Sequence, residues 1–322
     1  MDVLTEVLAA EERIRPHIRE TILEHSLLLS ERGGAQVYCK LENLQHTGSF
    51  KVRGALNKVL SLSEEQRARG VVTASTGNHG AAVAYSLGNL DATGIVFVPQ
   101  GADPSKVEAI TRLGAEVRVH GQDCAEAEVH ARAYGDEHGM AYISPYNDPQ
   151  VVGGQGTIGV ELARQLEDID AVFVALGGGG LISGIAAYLK SVQPGVSVIG
   201  CSPENSQVMI QSVKAGHILD LPSLPTLSDG TAGGIEPGAI TFELCRSLVD
   251  DYVTVSEEEI AATLLWFIGS HHMLIEGAAA VPIAAYLKNR SQYAGQRVVI
   301  VLCGANIGLE TVRQLLNATA RI

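Results

Sequence analysis

Short strand-like runs at 71–74, 94–98, 116–119, 171–176, 196–201 and 298–302 recur along the chain, with helical patterns between them. Several of these runs are apolar on consecutive rather than alternate residues, the mark of strands covered on both faces. Strands that alternate with helices form parallel sheets joined by crossovers. The pattern therefore predicts an α/β fold of open, mostly parallel sheets flanked by helices. Helical spacing marks 78–90, 104–113, 151–167 and 183–192, and Pro104 stands where a first helical residue tolerates proline. The stretch 203–237 breaks the pattern with Pro, Ser and Gly and is expected to be a packed functional loop.

A chain of 322 residues has room for two domains. With 23 basic and 36 acidic residues its net charge is −13, without a basic block, which opposes a polyanion-binding surface and makes nucleic acid an unexpected partner. The five cysteines, widely and irregularly spaced, suit neither a disulfide framework nor a zinc ribbon and fit a reducing compartment. Met1 to Glu6 lack the basic and apolar regions of a signal peptide, and no apolar run is long enough to span a membrane. A cytoplasmic protein without membrane contact is expected. Ser256 followed by Glu257, Glu258 and Glu259 reads as a helix cap, and Trp266 reads as core.

Four stretches bear chemistry. In Ser49-Phe50-Lys51-Val52-Arg53-Gly54, a turn signal precedes a helix that opens near Lys51. The positive helix end disfavours the ammonium form and favours the free amine of Schiff-base chemistry, although an exposed helix lysine is the commoner case. Ser75-Thr76-Gly77-Asn78-His79 joins a strand to a helix, where its hydroxyls and N–H groups suit either a bound carboxylate or an ordinary cap. Gly177, Gly178, Gly179, Gly180 and Leu181 also leave a strand for a helix, and four glycines in a row favour close approach of a phosphate over a mere turn. This loop lacks a P-loop lysine, and the next strand ends in Cys201-Ser202 rather than a ribose-binding acid, which disfavours a nucleotide. Cys303 ends the last apolar strand, as a small buried hydrophobe or as a neutral partner for a ligand ring nitrogen.

Together and in this order, Ser49 to Gly54, Ser75 to His79, the tetraglycine loop and Cys303-Gly304-Ala305-Asn306 resemble the pyridoxal-phosphate-dependent serine/threonine dehydratase and serine racemase family, over about residues 36–310. The resemblance implies the tryptophan-synthase-β-like fold, type II among pyridoxal-phosphate enzymes. It also implies a large domain of residues 1–53 and 148–322, a small inserted domain of residues 54–147, and a homodimer. It implies that Lys51 carries pyridoxal 5'-phosphate and serves as general base, that Asn78 bonds the ring hydroxyl, that Gly177 to Leu181 cradle the phosphate, and that Phe50 and Gly230 flank the ring. Ser75, Thr76 and His79 would hold the substrate carboxylate, and Cys303 would face the pyridine nitrogen. A thiol, with a reference pKa near 8.5, does not keep that nitrogen protonated as a carboxylate does, which favours prompt β-elimination. The implied reaction releases water from a β-hydroxy amino acid, with the cofactor phosphate as proton donor, and then gives a 2-oxo acid and ammonia.

Departures from the family pattern qualify these expectations. Ser202 and Val208 stand where serine racemases carry acidic cation ligands, so no metal site is expected. Thr76 replaces a serine that acts on the opposite substrate face in racemases, which keeps racemisation as an alternative activity. With no regulatory domain following, isoleucine control is not expected. The stretches 203–206, 228–234 and 271–277 look more like the dehydratase branch associated with hydroxyectoine breakdown than like the mammalian enzymes, which leaves the substrate open among threonine, serine, phenylserine-like and hydroxyectoine-derived amino acids. Glu276 reads equally as near the ring or as structural. A noncatalytic small-molecule-binding protein and a nicotinamide dehydrogenase remain the readings from outside the family.

Overall fold

The run Ala171–Ala175 forms a strand buried at every residue, as its consecutive apolar pattern requires. It sits inside the larger of two sheets in the computed structural model, which describes residues 2–319. The strands in chain order are β1 (Leu23–His25), β2 (Gln36–Lys40), β3 (Val71–Ala74), β4 (Gly94–Val98), β5 (Glu116–Val119), β6 (Ala141–Tyr142), β7 (Ala171–Ala175), β8 (Ser197–Pro203), β9 (Asp251–Val255) and β10 (Arg297–Val301). The larger sheet has the order β1-β2-β10-β7-β8-β9, and the smaller has β5-β4-β3-β6. Every pairing is parallel except β1 with β2. The chain leaves the larger sheet after β2 and returns to it at β7, with all four strands of the smaller sheet in between.

The main core surrounds the larger sheet, where Phe173, Ile199 and Ile300 are almost wholly buried. Burying a side chain of this size contributes about 1.5–3 kcal/mol. Two further clusters, one around Val71, Val96 and Leu87 and one around Val72, Phe97 and Ala131, pack on the smaller sheet. Helices Lys51–Ser61 and Pro149–Gln165, which bracket the passage between the sheets, pack against each other. Asp148 caps the second of these, its Oδ1 accepting from the N–H groups of Gln150 at 2.8 Å and Val151 at 3.1 Å.

Two expectations need revision. The predicted helix at 183–192 begins at Gly180, so the end of the glycine run is the first helical turn rather than a free loop. The stretch 203–237 is not wholly loop: Val208–Ala215 is helical because Val208, Met209 and Ile210 bury into the main core, and Asp229–Thr231 makes a 3-10 turn. The Ser256 cap is a reciprocal box, with Glu259 N–H donating to Ser256 Oγ at 3.2 Å and Ser256 N–H to Glu259 Oε2 at 2.8 Å. Trp266 packs at the margin of the core with the Arg32 guanidinium 4.2 Å from its ring centre. Among the described residues no helix is long and apolar enough to cross a membrane.

Candidate active site

The carboxyl ends of β3, β7 and β10 deliver three of the four stretches, at the sheet edge where open α/β folds bind ligands. The fourth joins them through the main chain. Ser49 bridges Gly304, and Phe50 N–H donates to the Cys303 carbonyl at 3.1 Å, which brings Lys51 to the end of β10 as the first residue of helix Lys51–Ser61.

Lys51 is partly buried, and its Nζ donates to the Pro145 carbonyl at 2.8 Å and lies 5.3 Å from the centre of the Phe50 ring. Removal from water lowers its pKa to about 8, against the upward pull of Cys303 and Glu276. Cys303 is 2% exposed, and burial, then the neighbouring Glu276, hold its thiol well above the ordinary range. It keeps its proton at neutral pH, with Sγ 3.9 Å from Glu276 Oε1.

Glu276 is the residue that the sequence left undecided, and it lies at the centre of the site. Its carboxyl accepts from Asn78 Nδ2 at 2.9 Å on each oxygen and from Asn306 N–H at 3.1 Å. Burial nevertheless pushes its pKa up to about 6, because those bonds only partly replace lost hydration. Asn78 also accepts at Oδ1 from Asn306 Nδ2 at 2.6 Å, so its amide is oriented by two partners. Gly230 belongs to this group, since a Cβ there would stand 3.6 Å from Glu276 Oε1.

His79 is buried and its pKa falls to about 3 through burial, helped by Lys51. Its ring is neutral. Nε2 lies 3.0 Å from the Ile143 carbonyl, which only accepts, so Nε2 carries the hydrogen and Nδ1 is a bare acceptor without a partner. Ser75 Oγ accepts from Gly77 N–H at 3.1 Å, the ordinary turn-closing role, and Thr76 stands beside it on the same turn.

The glycine loop is shaped by close neighbours. A Cβ on Gly178 would lie 2.5 Å from the Tyr146 ring, and Gly179 has φ +86°, a left-handed conformation that favours glycine. Gly179 caps helix Gly180–Val192 without any side-chain bond, which leaves the N–H groups of the first turn, Leu181 among them, without a side-chain acceptor. Tyr146, which the sequence did not single out, follows the Pro145 that receives Lys51, and its hydroxyl accepts from Glu236 N–H at 2.9 Å. Its signal was faint: a Ser-Pro-Tyr-Asn turn after a two-residue strand. Ser202 Oγ donates to the Leu176 carbonyl at 2.7 Å, and Val208 is 4% exposed in the core.

The pyridoxal-phosphate-dependent enzyme family matches residues 14–304. An L-threonine ammonia-lyase of Thermotoga maritima is 42% identical over 319 residues, covering 98% of this chain and 79% of that protein. The processed form of threonine deaminase isoform 2 from Solanum lycopersicum superposes with a TM-score of 0.93 at 35% identity, over 98% of this chain and 92% of that one. Maize serine racemase superposes with a TM-score of 0.91 at 30% identity, over 99% and 98%. The two mostly parallel sheets are thus the tryptophan-synthase-β-like arrangement. Relatives, fold and the clustering of four separate stretches at one sheet edge agree that the chain belongs to the pyridoxal-phosphate-dependent enzyme family.

Proposed function

We propose that the protein is an ammonia-lyase that dehydrates and deaminates a β-hydroxy amino acid, L-threonine or L-serine in the first instance, to a 2-oxo acid and ammonia. The observation that carries this reading is an amine lowered to about 8 at the same sheet edge as a thiol that keeps its proton. Named activities of the relatives, L-threonine ammonia-lyase and threonine deaminase among them, support it.

The residues fit pyridoxal 5'-phosphate. The backbone cradle beside Tyr146, which a Cβ at Gly178 would fill, and the uncapped first turn after Gly179 suit a phosphate held by Gly177 to Leu181. Lys51 would hold the cofactor covalently, Phe50 and Gly230 would flank the ring, and Asn78 would turn one N–H from Glu276 to the ring hydroxyl. Cys303 would give the ring nitrogen an uncharged partner. When bound, the cofactor withdraws electron density from the amino acid Cα.

The chain's own groups handle protons and orientation. Lys51 Nζ, as the free base, takes the Cα proton, for which a pKa of about 8 is well matched. The Pro145 carbonyl orients the amine. Ser75 and Thr76 hydroxyls and the N–H groups of this turn would hold the substrate carboxylate, with the neutral His79 ring bracing the turn against Ile143 rather than supplying charge. Residues 54–147 would form the smaller domain, residues 1–53 and 148–322 the larger one, and two chains a homodimer in the cytoplasm.

Racemisation is the second reading, favoured by the threonine hydroxyl at position 76 and by the maize serine racemase neighbour. The test is a panel of L-β-hydroxy amino acids, assayed for ammonia, 2-oxo acid and the D-enantiomer, with Lys51→Ala as control. Ammonia release lost in the variant supports the lyase. D-amino acid without ammonia replaces it by the racemase.

A further inference from the structure

We propose that Arg53 is a positioning residue for Lys51, acting through a buried frame of two carboxylates that fixes the first turn of the helix carrying the amine. The inference rests on the reading that Lys51 holds the cofactor. Helix Lys51–Ser61 starts at Phe50 without a side-chain cap, so no local bond from a side chain sets the direction of its first turn. Two residues after Lys51, Arg53 is completely buried.

Its guanidinium commits every donor it has. Nε and Nη2 donate to Glu42 at 2.7 and 2.8 Å, Nη1 and Nη2 to Glu161 at 2.8 and 3.0 Å, and Nη1 to Thr157 Oγ1 at 3.0 Å. The acceptors come from different parts of the chain. Glu42 follows β2, the sheet neighbour of β10, whose end presents Cys303. Glu161 and Thr157 lie on helix Pro149–Gln165, and Lys40 Nζ holds Glu161 from the other side at 2.6 Å. The frame thus refers the Lys51 turn to the sheet edge that carries Cys303 and to the helix packed against it.

Stability alone gives little reason for such a frame, because a buried ion cluster is often no more stabilising than apolar residues of the same volume. Direction does. A planar fork bonded on both sides permits one orientation of the turn, whereas a lysine keeps the charge but not the fork.

The test compares Arg53→Lys with wild type in three readouts: the thermal midpoint, the rate at which apo-protein is labelled at Lys51 by added pyridoxal phosphate (borohydride trapping and mass spectrometry), and kcat and KM for L-threonine. Arg53→Lys is expected to slow labelling and lower kcat by about tenfold while KM changes by less than about threefold, since a misplaced group costs rate more than affinity. A merely structural arginine would lower the midpoint and leave both rates unchanged well below it, and that result overturns the proposal. Should Arg53→Lys fail to fold, Thr157→Val, which loses one bond of the frame, is read in the same way, and wild-type rates in it overturn the proposal. Wild-type protein that takes no label at Lys51 refutes the cofactor reading itself, and the role of Arg53 with it.

Discussion

Two polar clusters share the first turn of one helix and are built on opposite rules. Around Arg53, opposite charges pair and every guanidinium donor of Arg53 finds an acceptor: Glu161 faces Arg53 and Lys40, which overcome the upward effect of burial and hold its carboxyl down at about 2. Around Lys51, balance is withheld. The amine sits at about 8, Glu276 at about 6, and His79 Nδ1 has no partner. In the first cluster Arg53 and Glu161 hold each other's charges, and the cluster serves as a frame. The second keeps Lys51 and Glu276 near their point of proton exchange, which is what proton transfer at neutral pH requires.

The largest expected break of this contrast is at Lys51. Lys51→Ala should lower ammonia release by at least about a thousandfold, from loss of the base alone. Apo Lys51→Met should nevertheless melt above wild type at pH 7. The folded state holds the amine at about 8, against 10.5 for a free lysine, so the unfolded state binds the proton more strongly. The penalty is full below pH 8 and fades as pH rises toward 10.5, and calorimetry across that range checks it.

Next in size is the frame. Glu161→Gln should cost about 3–5 kcal/mol in denaturant unfolding, because it leaves buried Arg53 and Lys40 undercompensated. The wild-type contribution of Glu161 is complete above its ordinary pKa of 4.5 and is lost as pH falls toward about 2. A variant as stable as wild type at pH 7 would remove the distinction between the clusters.

Glu276 should show the reverse sign. Its folded carboxyl binds the proton more tightly than the unfolded one, so wild type loses stability as pH rises from 4.5 through about 6. Glu276→Gln should flatten that slope and gain about 1–2 kcal/mol at pH 7, measured by unfolding at pH 4.5 and 7. The smallest effect is expected at Cys303→Ser, where one neutral donor replaces another and kcat/KM for L-threonine should stay within about threefold. A loss beyond a hundredfold there would mean that the thiol does more than remain uncharged.

Much of the fold and of the site outline was legible locally. The runs at 71–74, 94–98, 171–176 and 298–302 became buried parallel strands because consecutive apolar residues leave no face for water. β1, β6 and β9 escaped the sequence reading because they are short or carry polar residues at the edge of a sheet, where a single partner strand holds them, and β2, paired on both sides, because Gln36 and Lys40 interrupt its apolar pattern. Helix Val208–Ala215 was hidden among Pro, Ser and Gly because its short apolar face gains meaning only against the core. Glu276 looked ambiguous because a carboxylate beside a glycine is an ordinary helix start, and Tyr146 was silent because aromatic residues are common in turns.

By itself the sequence determined what neighbours along the chain can enforce: strands alternating with helices, a lysine at a helix start, a glycine run at a strand end, and a cysteine closing the last strand. Those follow from backbone periodicity and capping, whose range is a few residues. Only the tertiary structure decided the charge states. Asn78 meets Glu276 across 198 residues, and Arg53 meets Glu161 across 108. Whether a buried group keeps or loses its proton depends on the water removed and the partners supplied, and packing sets both.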